Sequence, residues 1–74
     1  MKLYLLNWGN GMIGGFHGKD LHQIFNTSKN LLFACIEQVI ENYNVISIEI
    51  EIIHSHDELN KMRQDMGLDI RGYF

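Results

Sequence analysis

Cysteine is almost missing from this 74-residue chain: Cys35 stands alone, so no internal disulfide can form. No apolar run approaches the roughly 18 residues of a membrane span. The apolar start, Met1-Lys2-Leu3-Tyr4-Leu5-Leu6-Asn7-Trp8, ends too soon for a signal peptide. Repeats, linkers and low-complexity stretches are also lacking. These absences leave one small soluble domain, cytoplasmic by default, that must be held by packing, self-association or a partner. A chain this short buries only about 60% of its unfolded surface, so its margin is thin.

Lysine and arginine are absent from the whole segment between Glu37 and Glu58, where Glu37, Glu41, Glu49, Glu51, Asp57 and Glu58 fall. That segment carries −6, and the flanks, with every Lys and Arg against Asp20, Asp65 and Asp69, carry +3. Acid at this density opposes direct nucleic-acid binding and favours a basic protein surface. A solvated face that keeps a small protein dispersed would need the same charge.

Hydrophobic residues make up 46% of the chain and charged ones 20%, which suits a globular fold and not a disordered one. Leu3 to Trp8 is apolar on both alternations and predicts a central strand buried on two sides. Asn10-Gly11 predicts a tight hairpin turn. The returning strand falls somewhere within 12–26, with Met12 to Phe16 and Leu21 to Phe25 as candidates. Gly14-Gly15 suggests a bulge or mobile loop. Asn26-Thr27-Ser28 fits a glycosylation acceptor but reads better as a helix start, with Thr27 or Ser28 as cap. The helix runs from Ser28 to about Tyr43 with Leu32, Cys35, Ile36, Val39, Ile40 and Tyr43 on one face, and Asn42 and Asn44 help to end it.

Val45 to Ile53 alternates Ile46, Ile48, Ile50 and Ile52 with Ser47, Glu49 and Glu51, predicting a strand with one side on the helix and the other toward water or a partner. Ser55 and Glu58 form a capping box for a short helix to Met66, striped by Leu59, Met62 and Met66, with Gly67 as its stop. Leu68 to Phe74 is a final strand or an extended arm. The expected fold class is α+β: a small, mostly antiparallel sheet in the order β-β-α-β-α, with the long helix on one face.

Several motifs resemble chemistry. Gly9-Asn10-Gly11-Met12-Ile13-Gly14 matches the dinucleotide pattern GxGxxG, but the glycines at 14, 15 and 18 oppose the helix that must follow, and no strand ends in an acid some 20 residues on. A glycine-rich hairpin is the better reading. His54 and His56, two apart at a strand end, are weak metal candidates that His17 or His22 could complete. Glu49 and Glu51 share one strand face, yet no lysine lies near them in sequence. Cys35 sits on the apolar helix face, where thiols are usually inert. Trp8, Phe16, Tyr73 and Phe74 could anchor an interface or close a small core, and for Trp8 the core is the better reading. No catalytic constellation is found, and neither an enzyme nor a cofactor is expected.

The strand Met1-Lys2-Leu3-Tyr4-Leu5-Leu6, the helix opening Thr27-Ser28-Lys29 and the alternation Ile48-Glu49-Ile50-Glu51-Ile52 together resemble small ββαβ proteins encoded by phages and other mobile elements, anti-CRISPR inhibitors among them. The likeness covers most of residues 1–53, without the glycine-rich stretch 9–18 or the last helix. It implies a stoichiometric inhibitor of host machinery acting in the host cytoplasm. The expected function is therefore a non-catalytic binding protein whose acidic face blocks a basic or nucleic-acid-binding surface of a target protein. Its contact residues would be Glu37, Glu41, Glu49, Glu51, Asp57 and Glu58, with Tyr73 and Phe74 as aromatic anchors. One alternative is a self-associating module, a homodimer through a strand edge or the C-terminal aromatics. The other is a small metal-binding protein using His54 and His56.

Overall fold

The computed structural model describes residues 1–68. Strand β1 (Lys2–Gly9) is apolar on both alternations because it lies inside the sheet, with a strand on each side and a helix over each face. The chain reverses at Asn10 (φ 57°) and Gly11 (φ 75°), both left-handed as a two-residue hairpin turn demands. It returns as β2 (Met12–His17), antiparallel to β1. A second reversal leads to β3 (Gln23–Ser28), antiparallel to β2, with a bulge between Gly15 and Phe16. A 3-10 turn (Lys29–Leu31) enters α1 (Leu32–Tyr43), which crosses the sheet to β4 (Glu49–Ile53), parallel to β1. Helix α2 (His56–Asp65) follows. The sheet is mixed, in the order β3-β2-β1-β4, and the class is α+β as expected.

Three boundaries differ from those read in the sequence. Both candidate segments within 12–26 form strands, so the order is β-β-β-α-β-α. The long helix begins at Leu32 instead of Ser28: Thr27 is buried within β3, and the Ser28 side chain makes no capping bond. The cause is tertiary, because Lys29 N–H donates to Gly11 O at 2.8 Å and ties the chain to the hairpin turn up to that point. Strand β4 starts at Glu49, not Val45: its ladder with β1 opens at Lys2 and Glu49, and ahead of it Ser47 O accepts a single bond from Met1 N at 3.3 Å. The final strand or arm expected over 68–74, with Tyr73 and Phe74, lies outside the described residues except for Leu68, which packs against the core.

Parity divides the sheet's two faces. On one, Leu6, Phe16 and Ile53 meet Leu59 of α2 and Leu21, all fully buried, with Tyr4, Trp8 and Met62 packed around them. On the other, Leu3 and Leu5 are buried beneath α1, whose stripe buries only Val39 completely. Gly14 and Gly15 serve opposite faces. The Trp8 indole lies over Gly14 and the Phe25 ring over Gly15, each where a Cβ would stand.

The capping of α2 is close to the expected box. Ser55 Oγ accepts from Glu58 N–H at 3.1 Å, while the Glu58 carboxylate accepts from the amide of His54, one residue earlier than a box requires. Gly67 (φ 76°) closes the helix, its N–H donating to Gln64 O. Of the expected stripe Leu59 is buried and Met62 half-buried, but Met66 is exposed and Arg63 takes its place inside.

Candidate functional site

Strand β4 forms one margin of the sheet, and among the described residues no strand pairs with its outer side. Its alternation sends Glu49 and Glu51 to the face that carries α2, in register with Lys2 and Tyr4 of β1. Lys2 Nζ lies 3.3 Å from a carboxylate oxygen of each, so one ammonium is shared by two acids. It also stands 5.1 Å from the centre of the Tyr4 ring. Contact with Tyr4, then with Glu51 and Glu49, holds the Lys2 ammonium well above its ordinary value. Both glutamates remain open to solvent, with side-chain exposures of 73% and 53%. An exposed shared pair of this kind contributes little to stability. It leaves one uncompensated negative charge along the strand.

The opposite side of β4 is apolar. Ile50 and Ile52 align with Leu3 and Leu5, yet they stay 45% and 50% exposed while those leucines are buried. Helix α1 runs closest to β3 and leaves the β4 margin of this face bare. The isoleucines expected under the helix are thus largely uncovered, and Ile46, in the loop before β4, is fully exposed.

The six acids do not make one continuous face. Asp57 and Glu58 stand in the first turn of α2, on the same side of the sheet as Glu49 and Glu51. There they favour the helix terminus, and Glu58 is committed to capping. Glu37 and Glu41 are exposed on α1, which packs on the other side of the sheet. Tyr73 and Phe74 lie outside the described residues.

The remaining candidates have local roles. Gly9 to Gly14 forms the β1–β2 hairpin, so no helix N-terminus follows the glycines. His54 is exposed, and the His56 ring meets Trp8 edge-on with centroids 4.5 Å apart. His17 and His22 stack at 5.6 Å, and His22 Nδ1 bonds the Asp20 carboxylate, which that bond holds below the usual carboxylate range. Among the described residues no three His, Cys, Asp or Glu are placed to share a metal ion, and no pocket is formed. Cys35 is half-buried. Among the described residues no helix is long and apolar enough to cross a membrane.

Sequence reasoning missed Ile50 and Ile52 as exposed residues, and also Leu31 of the 3-10 turn and Phe33 in the first turn of α1, which are 59% and 79% exposed. Spacing gave no warning for Phe33, which stands three residues before Ile36 and seven before Ile40, both on the expected stripe. No protein-family model matches the chain, and no curated protein or solved structure matches it significantly.

Proposed function

We propose that this chain is a non-catalytic binding protein, a stoichiometric inhibitor of the phage anti-defence kind, that sets the acidic side of β4 against a basic or nucleic-acid-binding surface of a target protein. One observation carries the reading: Glu49 and Glu51 stand exposed, side by side, on a strand whose outer side meets no other described strand, with a single lysine between them. Asp57 on the same side of the sheet adds to that charge, whereas Glu37 and Glu41 are too far round the molecule to join it. Nucleic acid itself is repelled by such a surface, while a protein that binds nucleic acid presents the complementary one. A host-cytoplasmic site of action belongs to the same reading.

Affinity capture from the encoding cell, with wild type and the Glu49→Lys/Glu51→Lys pair as parallel baits, tests this. Proteins enriched by wild type should fall about tenfold with the reversed bait and on raising the salt. Equal enrichment by both baits refutes the acidic reading. The second reading, self-association, is favoured by a different observation, the exposed Ile50 and Ile52 on the same edge. A mass that rises with concentration in sedimentation equilibrium would support it.

A further inference from the structure

We propose that β4 binds its partner by strand addition, taking up an extended segment of the target in which basic and apolar side chains alternate. The inference rests on the binding reading above and specifies the ligand. The backbone supplies the first argument. Glu49 N–H donates to Met1 O at 2.9 Å, fixing which peptide groups of β4 turn toward β1. Alternate residues of a strand turn the same way, so Glu49, Glu51 and Ile53 spend their peptide groups on the parallel ladder. The N–H and C=O groups of Ile50 and Ile52 therefore point outward, where no described strand lies. Four backbone groups spaced along one edge fit an added segment of about five residues.

Side chains decide what that segment carries. On one face it would extend the apolar surface of Ile50 and Ile52, and on the other it would run beside Glu49 and Glu51. A second copy of this chain fits poorly. In an antiparallel pair, setting Ile50 opposite Ile52 of the copy puts Glu51 opposite Glu51, and setting Ile50 opposite Ile50 puts Glu49 opposite Glu51. Like charges directly opposite one another oppose pairing, and Lys2 is already shared by both acids. Charge on an edge is a common guard against self-pairing. Here it disfavours a like-charged strand, the register with Ile52 opposite Ile52 alone keeping the acids apart and setting Ile50 opposite His54, and it leaves the edge open to a basic one. The other margin, β3 (Gln23–Ser28), offers no exposed large apolar residue for comparison.

The test uses the full chain, 15N-labelled, and capped seven-residue peptides: one alternating lysine and valine, one alternating glutamate and valine, and the lysine peptide N-methylated on the amides of one edge. The lysine peptide should bind saturably, with the largest amide shifts at Ile50 and Ile52. Affinity should fall at least tenfold with the glutamate peptide, with N-methylation and in the Glu49→Gln/Glu51→Gln variant. Binding indifferent to N-methylation overturns strand addition but leaves the acidic reading standing. Binding indifferent to the glutamine variant removes the acidic reading, and no binding of the lysine peptide overturns the inference. Shifts at Ile50 and Ile52 that follow protein concentration without peptide assign the edge to a second copy and overturn it too.

Discussion

Replacing Arg63 by methionine is expected to lower the unfolding free energy by about 2–4 kcal/mol, measured by urea denaturation. Arg63 is only 8% exposed, and its Nη1 donates to the carbonyls of Asp20 at 3.4 Å and Leu21 at 2.7 Å. Those carbonyls belong to the β2–β3 connection, where Leu21 is held at φ 54° while its side chain is fully buried. A left-handed leucine costs about 1–2 kcal/mol, so the connection keeps this shape only while other contacts hold it. Methionine preserves much of the side chain's volume and removes every donor. A buried carbonyl then loses a charge-assisted bond worth about 1.5–3 kcal/mol, and the turn loses its clamp. A domain of this size has roughly 4–11 kcal/mol of stability in all, so the loss is a large share. Arg63→Lys, which keeps the charge but not the reach of the guanidinium, should fall between the two. A methionine variant as stable as wild type would show that the Arg63 bonds do not hold the turn.

Elements governed by neighbours in sequence were legible, and those governed by distant contacts were not. The Asn10-Gly11 turn, the Asn44 and Gly67 helix ends and the Ser55–Glu58 cap follow from one or two residues each, and all are present. The start of α1 depends on a bond from Lys29 to Gly11, and that of β4 on where β1 begins, so periodicity misplaced both. At the candidate site the outward alternation of Glu49 and Glu51 was readable. That Ile50 and Ile52 stay uncovered was not, because it depends on the sideways placement of α1 toward β3. Lys2, some 47 residues from Glu49, entered the site only through the parallel pairing of β1 and β4. Arg63 lies four residues beyond Leu59, so helical spacing already put it on the buried face; its charge disguised that position.

Two adjacent glycines differ in what stands over them. Gly14→Ala is expected to destabilise the protein by about 1–3 kcal/mol and to shift the fluorescence of Trp8, the only tryptophan, while Gly15→Ala should cost less and leave that emission unchanged. At Gly14 a new Cβ would run into the Trp8 indole Nε1 and approach the Phe16 ring within 3.1 Å. Trp8 has little room to retreat, because His56 stands edge-on against it and Phe16, fully buried, lies 6.2 Å away centre to centre. Moving the indole would disturb the contact between the sheet and α2, where the buried cluster of Leu6, Phe16, Ile53 and Leu59 sits. At Gly15 the obstacle is the Phe25 ring on the other face, as half-buried as Trp8 but without the two rings that back the indole, so its far end can swing aside. The glycine pair thus works as two slots of unequal stiffness, and the order of the two costs is the measurable consequence. Equal costs, or a Trp8 emission that responds to Gly15→Ala and not to Gly14→Ala, would mean that the two rings are not seated on these glycines as described.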